Sequence, residues 1–206
     1  MSVVQKQSVT VPARISVNRL LFEASRRAEA MGLVASNHVP STDLKAVRHL
    51  ATQVGKAGIA SATVAALNNV EALSQDDVAG LLKTIIVALE ASPVPTFEWA
   101  GVARVLDAEE RASLLHVSLS SLKRYRSDER ATPDAIAARL HFLALVVGDL
   151  AGSYNNIGIR RWFTRKRRLL DGRAPADVLK GEWDPDDPGP LRVRELAREL
   201  VGFSAT

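Results

Sequence analysis

The stretch that most constrains the fold runs from Thr132 to Leu150, TPDAIAARLHFLALVVGDL, where apolar residues leave almost no polar face. Ile136, Leu140, Phe142, Leu143, Val146 and Val147 surround most of a helix. Such a helix cannot lie on a protein surface, because nearly every side of it needs an apolar neighbour. It predicts a domain built around one central helix. Thr132 as N-cap and Pro133 at the first helical position mark its start, and Gly152-Ser-Tyr-Asn-Asn marks its end. The longest wholly apolar run, Phe142 to Val147, is too short to cross a bilayer.

The first half of the chain also reads as helix. From Ser16, taken as an N-cap, Leu20, Leu21, Ala24, Ala28 and Met31 fall on one face at helical spacing, and Gly32 stops the run. A second helix is predicted from Ser41–Asp43 to Gly55 with Leu44, Val47, Leu50 and Val54 inward, and an alanine-rich third from Ile59 to Val70. Ser74 and Asp77 have the spacing of a capping box. They open a fourth helix with Val78, Leu81, Leu82, Ile85, Ile86 and Leu89 along a broad apolar stripe. Residues 1–14 lack this period, and with Pro12 among them they are expected to form an arm or an edge strand. The four helices predict a bundle of their own, closed by a linker at Ala91-Ser-Pro-Val-Pro, where two prolines block helix. The fold class is therefore all-α: an N-terminal helical bundle over 1–95, a helix-turn-helix-like domain over 96–155 and a small helical module over 156–206.

In the middle region Phe97, Trp99, Val102 and Leu106 predict a short helix, and Asp107 caps a second that holds Ala112, Leu114 and Leu115. A turn at Val117-Ser118-Leu119 then leads into SSLKRYRSDER, the spacing of a helix-turn-helix. With Leu122 and Tyr125 inward, the 100° step turns Ser120, Lys123 and Arg124 outward, with Arg126 on the flank. Ser120, Ser121, Lys123, Arg124 and Arg126 are thus the candidate DNA-binding residues. Hydroxyls and backbone N–H groups can meet phosphates, and Arg124 can take a guanine edge bidentately. Asp128 and Glu129 oppose that reading, and the same pattern also serves as plain scaffold in helical bundles.

Composition excludes several functions. The chain has no cysteine, hence no disulfide, thiol nucleophile or thiolate metal site. Its four histidines are scattered, and no metal site is expected. Glu182, Asp184, Asp186 and Asp187 share their segment with three prolines and a glycine, the composition of a solvated turn rather than a carboxylate site. His116 and His141, in apolar surroundings, read as helix residues with a local hydrogen bond. No catalytic residue and no cofactor is expected, and the chain does not read as an enzyme. A net charge of +4 is too small to imply nucleic acid by itself, so local clustering must decide. The first residues lack the apolar core and cleavage site of a secretory signal, so a cytoplasmic protein with no membrane partner is expected.

Positive charge does cluster between Arg160 and Arg173. There seven cations (Arg160, Arg161, Arg165, Lys166, Arg167, Arg168, Arg173) accompany the single acid Asp171, and Trp162 and Phe163 interrupt the run. Arginine mixed with aromatics is typical of interface hot spots and of nucleic-acid surfaces. The plain alternative is a solvated helix face over core residues, with Leu169 and Leu170 expected in that core. Around these residues the chain resembles the C-terminal toxin-binding module of the Xre/MbcA/ParS antitoxin family. The likeness rests on Trp162, Leu169 with Leu170, a turn from Gly172 to Pro175, a short helix ending at Leu179, and a closing helix with Leu196 and Leu200. Upstream, residues 106–163 resemble the family's degenerate helix-turn-helix and the long helix joining it to the module. The first 95 or so residues lie outside the likeness.

The resemblance implies the antitoxin of a bacterial type II toxin–antitoxin pair, binding a cognate RES-domain-type, NAD-consuming toxin across its active-site entrance. It also implies repression of its own operon through operator DNA, by a homodimer or a hetero-oligomer with the toxin. The toxin-binding residues implied are Arg161, Trp162, Phe163, Arg165, Arg168, Arg173, Arg194 and Arg198. In that picture the aromatic pair anchors an apolar contact, and the arginines suit an acidic or phosphate-accepting cleft. The chain departs from the family where Thr164-Arg165-Lys166-Arg167 replaces the Pro-Asn that often comes after the Trp, and where GEWDPDDPGP lengthens the link to the last helix. A DNA-binding regulator or adaptor without a toxin partner is the alternative, kept open by the N-terminal helices, which simple family members lack.

Overall fold

The computed structural model describes residues 17–35, 44–69 and 73–203. The arm expected over 1–14, the cap Ser16, the start of the second helix and Val70 fall outside the described residues. Among the described residues there are eleven α-helices, one 3-10 turn and no strand. The first half holds α1 (Val17–Ala30), α2 (Leu44–Lys56), α3 (Ser61–Asn69) and α4 (Gln75–Ala91). The middle holds α5 (Pro95–Ala103), α6 (Ala108–Leu115), α7 (Leu119–Arg126) and α8 (Asp134–Leu150). The last part holds α9 (Asn156–Thr164), the 3-10 turn Arg168–Leu170, α10 (Pro175–Val178) and α11 (Pro188–Phe203).

Local chemistry sets the helix ends. The capping box predicted at α4 is present: Ser74 Oγ accepts from the Asp77 N–H at 3.2 Å and Asp77 Oδ2 accepts from the Ser74 N–H at 3.1 Å. Asp107 and Glu110 make the same pair of bonds, both 2.9 Å, at the start of α6. Gly32 ends α1 in the left-handed region, with the Leu33 N–H reaching back to the Ala28 carbonyl at 2.8 Å. Two predicted ends move. The glycine that stops α2 is Gly58, at φ +79°, and not Gly55, which stays helical while Val64 packs over it. The N-cap of α8 is Pro133, whose carbonyl accepts from the Ala137 N–H at 2.8 Å, while the Thr132 hydroxyl accepts from Trp99 Nε1 at 3.0 Å.

Helix α8 sits at the centre. Every residue from Leu140 to Leu150 is buried, and α1, α5, α6 and α11 pack around it. The expected boundary near residue 95 is therefore not a break in packing. Pro95 takes the first position of α5, and the two prolines make a corner at which α4 and α5 meet at 92°. α1 packs on α4 and also on α5 and α8. It comes so close to α5 that a Cβ at Gly101 would overlap the Ala30 carbonyl oxygen, and a Cβ at Gly148 of α8 would lie 3.2 Å from Arg27 Cα. One apolar core runs from Leu20 to Ala197, so the first four helices are not a bundle closed on itself.

Several polar groups inside this core are paired across elements. His141 Nδ1 lies 2.6 Å from Glu98 Oε1, and His141 Nε2 lies 2.9 Å from the Glu90 carbonyl oxygen. Asp149, also on α8, bonds to Arg194 of α11 and lies 3.5 Å from Arg27 of α1. Glu90 at the end of α4 completes the network, 3.1 Å from Arg27, 3.4 Å from Arg194 and 2.7 Å from Arg198. Burial pushes the Asp149 carboxyl up against the opposing pull of Arg194 and Arg27, and lowers Arg194 to about 10. Among the described residues no single helix is long and apolar enough to cross a membrane.

Candidate functional site

The residues that carry the basic run sit on α9 and the loop after it. Asn155 caps α9, its Oδ1 accepting from the Gly158 N–H at 2.9 Å. Ile159, Trp162 and Phe163 then fall on the buried face. Trp162 is only 1% exposed, edge-to-face with Phe163 at 5.3 Å and covered by the Arg167 guanidinium at 5.4 Å. Beyond α9 the chain doubles back: the Arg167 N–H donates to the Arg173 carbonyl at 2.9 Å and the Gly172 N–H to the Arg167 carbonyl at 3.0 Å. Asp171 and Gly172 hold that reversal with left-handed backbone, φ +55° and +78°. Leu170 is buried beneath it, whereas Leu169, expected in the core, is 63% exposed.

This geometry divides the expected toxin-binding set. Arg161, Arg165, Arg168 and Arg173 are exposed, as is Lys166 beside them. None of these five has a carboxylate partner among the described residues. Trp162, Phe163 and Arg194 are interior and have no surface to offer a partner: the aromatic pair lies on the buried face of α9, and Arg194 faces Asp149. Arg198 is half exposed but is directed at Glu90, 2.7 Å away, whereas Arg192 on the same helix pairs with Asp171. Arg160, outside the expected set, bridges α9 to α6 by bonding Asp107 and, at 2.9 Å, Glu110.

The second surface is α6–turn–α7. The turn is His116-Val117-Ser118, with His116 exposed in left-handed conformation at φ +54°, so the apolar surroundings expected for it are absent. Ser118 caps α7 by accepting from the Ser121 N–H at 3.1 Å, and its Oγ lies 3.0 Å from the hydroxyls of both Ser120 and Ser121. Leu122 and Tyr125 point inward, Tyr125 stacking on Trp99 of α5 at 6.1 Å. Ser120, Lys123, Arg124 and Arg126 are exposed and Ser121 is half-buried. Asp128 and Glu129, exposed just past the helix, stay at its C-terminal end, and Glu129 accepts from the Ser127 hydroxyl at 2.9 Å.

An open groove of about 520 Å³ lies between the α6–α7 turn and the loop after α10, lined by His116, Ser118 and Leu119 on one side and Lys180 and Gly181 on the other. The loop after α10 is tied to α6 by Trp183, which the composition of its segment, that of a solvated turn, does not single out. Trp183 Nε1 donates to the Leu114 carbonyl at 2.9 Å, Arg139 Nε donates to the Trp183 carbonyl at 2.6 Å, and the ring meets Phe142 edge-on at 5.1 Å. The acids around it are exposed, with Asp184 and Asp187 bonding backbone N–H groups to open α11. Among the described residues no three His, Asp or Glu side chains gather as a metal site.

No family model, curated protein or solved structure matches the chain. The resemblance to the antitoxin family therefore stands on the residues quoted for it.

Proposed function

We propose that the chain is a stoichiometric binding protein, an antitoxin that neutralises a RES-type, NAD-consuming toxin through the basic face of its C-terminal module. One observation carries this reading: Arg161, Arg165, Lys166, Arg168 and Arg173 are exposed, have no carboxylate partner among the described residues, and accompany the exposed Leu169. Cations paired within their own chain, such as Arg160 with Asp107 and Glu110, have little left for a partner. Unpaired arginines keep their planar N–H forks for a carboxylate or phosphate on the partner, and they speed encounter with an acidic cleft. The buried Trp162, Phe163 and Leu170 hold this face in place from below. A toxin would meet arginines and Leu169, not the Trp-Phe pair.

Co-expression with the product of the adjacent gene, followed by native mass spectrometry, tests the reading. The wild type should form a stable complex and protect the cells. Arg165→Glu with Arg168→Glu should lose both while keeping the wild-type circular dichroism and melting temperature. A complex that survives this double charge reversal would return the face to plain solvated surface.

The outward set on α7 favours a second activity of the same protein, repression through operator DNA. Lys180 across the groove from Ser118 adds a cation next to the start of α7. In a gel shift Arg124→Ala should relax sequence preference, at about 1–3 kcal/mol, and Lys123→Ala should weaken all sequences alike and flatten the salt dependence. If neither changes, α7 is scaffold.

A further inference from the structure

A separate cavity of about 270 Å³ lies among α1, α5, α8 and α9, away from both basic surfaces. Ala30, Val105, Val147, Ala151 and Ile159 give it apolar walls, and Arg26 projects onto it. Arg26 is only 9% exposed. Its guanidinium lies 4.3 Å from the centre of the Phe22 ring, in the space that a side chain at Gly152 would take. Among the described residues nothing accepts a hydrogen bond from it, and its Nε is buried without a partner.

The guanidinium is mostly withdrawn from water, its Nε wholly so, and a cation withdrawn without a compensating anion is unfavourable. The acids nearby do not supply one. Asp149 and Glu23 attract Arg26, but Asp149 bonds Arg194 and Glu23 pairs with Arg27 at 2.8 Å, while Arg27 itself repels it. Glu29, on the cavity wall, makes no ion pair with it. Arg104 brings a second positive charge to the same wall, held there by donating to the Val34 carbonyl at 3.0 Å. Asn156 fixes the opposite lip by donating to the Arg104 carbonyl, also at 3.0 Å.

We propose that this cavity is a binding site for a small organic anion, whose carboxylate or phosphate is held by Arg26 and whose short apolar body lies against Val105, Val147 and Ile159. With Phe22 across its face, the guanidinium offers its in-plane N–H edge, which matches either head group in a bidentate manner. The volume lies just below the usual range for drug-sized ligands, about 300–1,000 Å³, so the body holds only a few carbons. The site joins α1 to α9, and its occupant stabilises that junction whatever the chain's larger function is.

Full-length protein is melted in rising concentrations of isobutyrate or inorganic phosphate, with chloride at matched ionic strength as the reference. A ligand that binds only the folded state raises the melting temperature in a saturable way. The expected result is such a rise in wild type and in Arg165→Ala, its loss in Arg26→Met, and its reduction in Gly152→Ala, whose methyl competes for the place of the guanidinium. A rise with phosphate alone identifies a phosphate ligand, and one with isobutyrate alone a carboxylate. No saturable rise with either anion, or an equal rise in Arg26→Met, overturns the proposal. Should Arg26→Met not fold, titration calorimetry on wild type and Gly152→Ala decides by the same criterion, with equal affinities counting against the site.

Discussion

Asp149→Asn tests whether the chain folds as one unit. Asp149 is 2% exposed and faces Arg194 and Arg27, themselves 6% and 5% exposed, so the substitution leaves two buried guanidinium groups short of a negative charge. Breaking a buried pair from one side typically costs about 3–5 kcal/mol. Glu90 stays within 3.1 Å of Arg27 and 3.4 Å of Arg194, and the burial that raises the Asp149 carboxyl offsets part of the pair's attraction, which together place the expected loss below that range, about 2 kcal/mol. That is a large fraction of the roughly 5–15 kcal/mol by which a domain is stable. Replacing both partners, Asp149→Leu with Arg194→Met, leaves no orphaned charge at that contact and should return to within about 1 kcal/mol of wild type. Urea unfolding reads both numbers. All three tryptophans lie after residue 95, so fluorescence reports the second half while circular dichroism reports helices throughout. The two probes should give coincident transitions, because α1 and α4 share the Asp149 network with α8 and α11. A loss below about 1 kcal/mol for Asp149→Asn would refute the charge argument. Separate transitions in wild type would refute the single unit.

Other substitutions separate fold from function. Trp162→Ala should destabilise the protein by about 3–5 kcal/mol, as expected for a large core side chain, whereas Leu169→Ala should cost less than about 0.5 kcal/mol and yet weaken a complex made by the basic face. Calorimetric melting beside a pull-down checks both, and a Trp162→Ala protein of unchanged stability would place that ring outside the core. Glu98→Gln should stabilise the fold in a pH-dependent way. The Glu90 carbonyl can only accept, so His141 Nε2 carries a proton, and a glutamine amide can bond Nδ1 either way, accepting through its oxygen or donating through its nitrogen. Burial raises the Glu98 carboxyl, with His141 opposing, so its favourable contribution is present below the ordinary value and is lost as pH rises through the raised one. The gain from glutamine should be near zero at pH 4 and reach about 1 kcal/mol or more at neutral pH, where a carboxylate charge is otherwise held out of water. Urea midpoints across that range check it, and a gain independent of pH would contradict the assignment.

What the sequence made legible was local. The missing polar face of α8, the Ser74–Asp77 and Asp107 caps, and the inward Leu122 and Tyr125 all arise from spacing within one or two turns. The side taken by Trp162 was also encoded. Ile159, Trp162 and Phe163 stand at i, i+3 and i+4, a buried stripe, with Arg160 and Arg161 between them, so helical period outweighs the arginine-aromatic composition that points to an interface. Pairings between distant residues left no such trace. Asp149 and Arg194 are 45 positions apart and Glu98 and His141 are 43 apart, and only the packing of α8 against α11 and α5 brings them together. Prolines 93 and 95 specify that a helix must end, but not whether the chain beyond them leaves on a tether or turns a corner. The stronger clue to the corner lay in two glycines inside helices. Gly101 and Gly148 each weaken their helix by roughly 1 kcal/mol relative to alanine, a cost that makes sense where another backbone comes close. At both positions the approaching backbone belongs to α1, whose Ala30 carbonyl lies over Gly101 and whose Arg27 lies over Gly148. The second half of the chain supplies α5, α6 and α11 for the apolar surface of α8, and α1 covers the part they leave open, so the N-terminal helices complete the core on which both basic surfaces are mounted.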